Sequence, residues 1–254
     1  MTAPSFNTLF VGKVYHQLDE TPSTNAFAAE LLASSNALEG TLVMAAVQSQ
    51  GRGYSGNAWV SEKGKNLLMS VILKPTFLQA RQQFYLNELV TLGFFDALKP
   101  KLGNNLKIKW PNDIYYKDEK LAGILIENSL NGNFIQHSII GIGLNVNQTK
   151  FSESVENAVS LKMITKSEWN LISLLENICE KIEARYLQLK NNQLHSLQQD
   201  YMKALYRLEE EHWYKKDGKK FKAKIVGLNP EGKLMLATDK GWDAYGFKEV
   251  EFVI

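Results

Sequence analysis

Asp113 and Lys120 stand seven residues apart in the stretch Lys109–Gly123, KWPNDIYYKDEKLAG. Ile114, Tyr115 and Tyr116 favour a strand, and Leu121–Glu127 (LAGILIE) reads as its partner. A tight hairpin connection over Lys117–Lys120 then brings the carboxylate and the ammonium to one end, facing one space. Such a pair on a surface contributes little by itself. The Trp-Pro-Asn-Asp ahead of it weakens that bland reading. A Trp-Pro step fixes an extended approach, and Asn112 and Asp113 offer carbonyl, amide and carboxylate groups where a helix or simple turn needs none.

Three further stretches carry polar or glycine-rich patterns. Ser49–Ser61, SQGRGYSGNAWVS, has three glycines in six residues together with Arg52. Its backbone can approach an anion closely, although a flexible surface loop has the same composition. Ser23-Thr24-Asn25 sits where a helix begins, so Ser23 or Thr24 reads first as an N-cap for Asn25–Ser34. Gly141–Asn147, GIGLNVN, holds a lone G-x-G. It is not a dinucleotide fingerprint, because no GxGxxG opens a helix with an acidic residue further on.

The elements that must position these groups follow from the apolar pattern. Strands are expected at Leu9–Gln17, Thr41–Gln48, Lys65–Leu73, Leu106–Lys109 and Phe134–Ile142, and helices at Phe84–Leu98, Lys166–Lys190 and Leu194–Glu211. From Trp213 the style changes to short strands with turn punctuation: Phe221–Leu228, Lys233–Ala237, Trp242–Gly246 and Val250–Val253. These last residues suit a small barrel that leans on a larger α+β domain.

Bulk properties exclude several classes. The 254 residues are 44% hydrophobic and 22% charged, which fits one large domain with a small one attached. A net charge of +2 gives no electrostatic reason to expect nucleic acid or a membrane surface. Cys179 is the only cysteine and falls on the apolar side of a helical pattern, so it reads as a small buried hydrophobe. His16, His137, His195 and His212 lack ligand spacing, and no metal site from protein side chains is expected. The N-terminus lacks the features of a signal peptide and no apolar run is long enough to span a bilayer, so a cytoplasmic protein is the expectation.

KWPND, followed by the lysine of KLAG, resembles the signature of biotin–protein ligases, and the other three stretches match the same family. The resemblance covers nearly the whole chain. It implies a catalytic domain over residues 1–211 with the fold that biotin and lipoate ligases share with class II tRNA synthetases, and an SH3-like barrel over 212–254. The implied activity is ATP-dependent biotinylation of a lysine on a biotin carboxyl carrier domain, through biotinyl-5'-AMP, with Mg²⁺ on the ATP phosphates. Ser23, Thr24, Asn25, Gln48, Gly51, Arg52, Gly53 and Lys120 would surround biotin. Arg52, Trp59, Asn112, Asp113 and Asn145 would surround the adenylate, with Asn147 a weaker candidate. Lys120, Arg52 and Asp113 would carry the chemistry.

The Gly loop departs from the commoner family form, which continues with further arginines where Tyr54, Ser55 and Asn57 stand. Charged hydrogen bonds contribute roughly 1.5–3 kcal/mol each, so the adenylate is expected to be held about tenfold to a hundredfold less tightly than in arginine-rich relatives. Relatives that repress transcription carry a DNA-binding segment before the catalytic domain. Here the opening strand and TPSTN begin close to Met1, and DNA binding is not expected. Family members are monomers or dimers, and the sequence leaves a homodimer open. A lipoate or octanoate ligase, a non-catalytic biotin-binding sensor and a ligand-free interaction module are the competing readings.

Overall fold

The computed structural model describes residues 4–35, 37–53, 57–152 and 157–254. A seven-stranded sheet runs in the order β1-β2-β3-β7-β6-β5-β4. Its strands are β1 Tyr15–Thr21, β2 Leu42–Gln48, β3 Leu67–Leu73, β4 Leu106–Lys109, β5 Asp113–Tyr116, β6 Glu119–Asn131 and β7 Phe134–Leu144. Of these strands only β1 and β2 pair in parallel, and α1 (Thr24–Ser35) makes the crossover that a parallel pair requires.

β3, LLMSVIL, is buried along its whole length, as a continuous apolar run in a central strand should be. Met69, Val71 and Leu73 point into the larger core with α2 (Phe84–Leu102) and α4 (Leu171–Lys190). Ile72 on the other face joins a smaller cluster under α1 with Ala28, Val43 and Ile139. Ser70 lies on that same face, a polar interruption beneath the start of α1.

Several expectations shift. The strand expected at Leu9–Gln17 begins at Tyr15, because the backbone N–H groups of Leu9, Phe10 and Val11 donate instead to the Glu183 carboxylate at 2.5, 2.8 and 2.9 Å. The long helix expected from Lys166 starts at Leu171, capped by Asn170, whose side chain accepts from the Ser173 N–H at 3.0 Å. A short α3 (Leu161–Thr165) precedes it and ends at Lys166, which is left-handed. α5 covers Leu194–Ala204 rather than reaching Glu211, since Leu205 turns extended and bridges to Ile108. Trp110–Asn112 is not an extended approach but the turn joining β4 to β5, with Lys109 paired opposite Asp113 and a cis Trp110–Pro111 bond.

The C-terminal residues form five strands, not four. They are β8 Glu211–Lys216, β9 Lys219–Leu228, β10 Leu234–Thr238, β11 Gly241–Tyr245 and β12 Glu251–Phe252, in the order β11-β10-β9-β8-β12. This antiparallel sheet has two ends among the described residues and is not a closed barrel. It docks through the turn of the first sheet: Trp110 Nε1 donates to the Gly232 carbonyl at 2.8 Å, and its ring meets Phe247 edge-on.

Candidate active site

The open part of the first sheet is its α1-facing side beyond α1 itself. Register sets Leu68, Gly143, Gly123, Asp113 and Lys109 in one row across β3, β7, β6, β5 and β4, with Ser70, Gly141 and Leu125 in the next. Glycine on β6 and β7 leaves that floor low. A Cβ on Gly141 would collide with the Asn25 side chain, and one on Gly143 with the Trp59 ring. The G-x-G of the sequence therefore serves close approach of side chains from above. A cleft of about 220 Å³ opens here.

One wall is neutral and tightly hydrogen-bonded. Gln48, at the end of β2, accepts at Oε1 from the Thr24 N–H at 2.7 Å and lies 3.1 Å from the Thr24 hydroxyl. Ser70 Oγ lies 2.7 Å from Thr24 Oγ1 and 2.6 Å from Asn25 Oδ1, and Asn25 Nδ2 donates to Glu127 at 2.6 Å. Ser23, Thr24 and Asn25 are all buried, yet they line the cleft with Gln48. A cap role alone needs none of these cross-links.

The facing wall is charged. Lys120 Nζ sits 2.8 Å from Asp113 Oδ2, with side-chain exposures of 34% and 19%. A β-bulge makes this pairing. The β5–β6 register shifts between Ile114 and Tyr115, so that Tyr115 opposes Lys120 while Asp113 opposes Gly123. The extra residue turns Lys120 onto the face that Gly123 and Asp113 share, a re-aiming that bulges commonly perform near sites. Asn157–Val159 then clamps the Lys120 backbone: its N–H donates to the Asn157 carbonyl at 2.6 Å, and its carbonyl accepts from the Val159 N–H at 3.0 Å. Asn112 fixes the turn beside it, giving its amide N–H to the Ile124 carbonyl. Lys109 adds a second cation to this wall. Burial pulls its ammonium below the ordinary lysine range, Asp113 opposes that, and Lys120 and Arg207 reinforce it.

The Gly loop closes over the floor. Gly53 N–H donates to the Asn57 carbonyl at 2.6 Å and Trp59 N–H to the Gly51 carbonyl at 2.9 Å. Arg52 and Gly53 line the cleft with Asn57, whereas Gly51 sits behind, packed against Gln48 and the Trp59 carbonyl. Arg52 lies 3.7 Å from Glu127, both about half-exposed. The Trp59 ring rests on Gly143 and Gly123, with the Lys120 ammonium 5.8 Å from its centroid. Its indole N–H is buried over Gly143 and has no partner among the described residues. Tyr54 and Ser55 lie outside the described residues.

Two expected residues are elsewhere. Asn145 does not line the cleft. Its amide donates to the Val159 carbonyl at 3.2 Å and its N–H to Leu121 at 3.0 Å, bracing the segment that clamps Lys120. Asn147 is spent on both backbone groups of Trp169. Conversely, Ser70, Lys109, Glu127, Phe247 and Lys248 border the site and were not singled out by sequence. Lys109 belonged to the KWPND motif, the one signal that pointed to it. Ser70 is hidden in an apolar strand, and Phe247 and Lys248 arrive from the second sheet.

Such a cleft can hold a small molecule whose polar ring meets the neutral wall and whose anionic end meets the cations. Comparisons with known proteins agree. The family model for the biotin/lipoate A/B protein ligase family matches residues 18–145. The chain is 32% identical over 232 residues to the bifunctional ligase/repressor BirA of Bacillus subtilis, covering 90% of this chain and 70% of that protein. It is 28% identical over 186 residues to the biotin–[acetyl-CoA-carboxylase] ligase of Mycobacterium tuberculosis, covering 71% and 68%. Among solved structures, the biotin protein ligase of Aquifex aeolicus in complex with biotin and ATP superposes with a TM-score of 0.79 at 27% identity, over 95% of this chain and all of that one. This chain belongs to the biotin/lipoate A/B protein ligase family.

Proposed function

We propose that the protein is an ATP-dependent biotin–protein ligase that joins biotin to a lysine of a biotin carboxyl carrier domain in the cytoplasm. One observation carries the reading: the Asp113–Lys120 pair faces a buried, neutral wall of hydroxyl and amide groups across one cleft. Biotin ends in a ureido ring, with two N–H donors and one carbonyl, and in a carboxylate. Thr24, Asn25 and Gln48 would take the ring; Arg52, Lys109 and Lys120 would attract the carboxylate and phosphates.

A carboxylate is a poor acyl donor. It attacks the α-phosphorus of ATP, pyrophosphate leaves, and biotinyl-5'-AMP forms. Carboxylate and triphosphate repel each other, and Lys120 offsets that repulsion once it turns from Asp113 to the ligand. Trp59 walls the adenylate, and Asn112 borders the nucleotide. The acceptor lysine then attacks the acyl carbon and AMP leaves. At an ordinary pKa of about 10.4, only about one lysine in a few thousand is neutral at pH 7. Asp113, released by Lys120, is placed to orient that amine and take its proton. Mg²⁺ would travel on the ATP phosphates. No group of three His, Cys, Asp or Glu side chains fit to hold a metal gathers among the described residues, so no step is assigned to a protein-bound ion.

A lipoate ligase on the same fold is disfavoured by the neutral wall. A dithiolane ring offers no hydrogen bond to the Gln48 amide N–H or to the hydroxyl lone pairs that this wall still presents, so it gains no polar recognition there. The test is incorporation of biotin into a purified carrier domain with ATP. Stoichiometric labelling at one lysine is expected; biotin binding without labelling would leave a sensor.

A further inference from the structure

Glu127 has no task in this scheme. It follows Leu125 on the cleft face of β6 but does not itself line the cleft. We propose that Glu127 is a positioning residue that fixes the donor–acceptor polarity of the neutral wall, and so the kind of ring the cleft accepts. The proposal rests on the biotin-ligase reading and deepens it.

The polarity follows from proton counting. An ionised carboxylate only accepts. Its partner is Asn25 Nδ2 at 2.6 Å, and the Leu125 carbonyl, which also only accepts, lies 3.5 Å from the same nitrogen. The amide is thereby held with Oδ1 toward Ser70, whose single proton it takes at 2.6 Å. Ser70 then has no proton to give Thr24, 2.7 Å away. Thr24 therefore donates its own proton to Ser70, because two hydroxyl oxygens 2.7 Å apart need one between them and Gln48 Oε1, farther off at 3.1 Å, already accepts the Thr24 N–H. The wall thus offers the Gln48 amide N–H as a donor and hydroxyl lone pairs as acceptors. A cyclic urea, one carbonyl flanked by two N–H groups, is the complement.

Reversing the Asn25 amide would reverse the chain. Nδ2 would then face Ser70, and Ser70 would have to accept from it and donate to Thr24, consuming the lone pairs that meet the ring N–H groups. Glu127 is the charged group that forbids this. Its contact with Arg52, longer at 3.7 Å and half-exposed on both sides, is screened by solvent and fixes less.

The experiment is steady-state biotin-dependent ATP–pyrophosphate exchange on wild type, Glu127→Gln and Glu127→Ala, with thermal melts to verify folding. Glu127→Gln is isosteric and still accepts a hydrogen bond, but no longer forces its direction. The expected result is a biotin KM raised about tenfold in Glu127→Ala and less in Glu127→Gln. kcat and the ATP KM should stay within about twofold, the signature of lost substrate binding rather than lost catalysis. An unchanged biotin KM in the folded variants overturns the proposal. So does a parallel rise in the ATP KM, which would assign Glu127 to Arg52 and the phosphates. Failure of wild type to exchange with biotin would strike the ligase reading itself and is seen separately, before any variant is compared.

Discussion

The two walls of the cleft are built on opposite principles. The α1–β2 wall is neutral and internally bonded: Thr24, Asn25, Gln48 and Ser70 hold one another before any ligand arrives. The β4–β6 wall is charged and half-open, with Asp113 and Lys120 neutralising each other and Lys109 beside them. Rigid neutral groups suit recognition, because they lose nothing when a matching ring binds. An ion pair suits chemistry, because it can open toward an anion and release a base. The contrast assigns binding to one wall and reaction to the other.

The sharpest challenge to this division is to delete the lysine. Lys120→Ala should lower biotin-dependent pyrophosphate exchange by about a thousandfold, the scale of a lost charge-stabilising group. Folding should survive, since the pair opens onto the cleft and Lys109 remains beside Asp113 to offset its charge. Full exchange in that variant would remove Lys120 from the mechanism. Asp113→Asn comes next: single-turnover transfer from preformed adenylate should fall about a hundredfold, at least as far as adenylation does. Loss of adenylation alone would move Asp113 from the acceptor amine to the nucleotide.

On the other wall the effect should be smaller and of a different kind. Ser70→Ala leaves Asn25 Oδ1 without its donor, so the biotin KM should rise about tenfold with kcat nearly unchanged. An equal fall in kcat would blur the two walls.

Much of this arrangement was legible in the chain. The motif stretches met in one cleft. The hairpin, however, turns over Lys117 and Asp118 and sets Asp113 opposite Gly123, so Asp113 and Lys120 pair through the bulge and not at the hairpin's end. Tertiary details were less visible. The bulge that turns Lys120 onto the Asp113 face leaves no mark in the alternation of Tyr115 to Leu121, because either register buries an apolar set. Ser70 reads as a small residue tolerated in a core strand until α1 is laid over it. Lys248 and Phe247 reach the cleft from the second sheet, which docks on Trp110 through Gly232 among other contacts. Asn145 shows the converse: a family motif position whose side chain, here, braces backbone.

A prediction of a different kind lies outside both walls. Glu88 on α2 is buried, one of its oxygens has no partner among the described residues, and burial pushes its carboxyl up to about 8. A carboxyl whose folded value lies above its unfolded one is neutral in both states below about pH 4.5, where it costs nothing. As pH climbs from there toward 8, the unfolded chain ionises first and stability falls, by up to about 1.4 kcal/mol for every pH unit. Glu88→Gln should therefore raise the Tm at pH 8 and converge on wild type near pH 4.5 in thermal melts, with exchange activity unaltered.

The pairing of a neutral wall with a charged one stands or falls on ATP–pyrophosphate exchange with biotin, with lipoate and with neither. Exchange supported by biotin alone is the predicted result, since only biotin carries both a ring for the neutral wall and a carboxylate for the charged one. Exchange with lipoate, or none with biotin despite its binding, would contradict it.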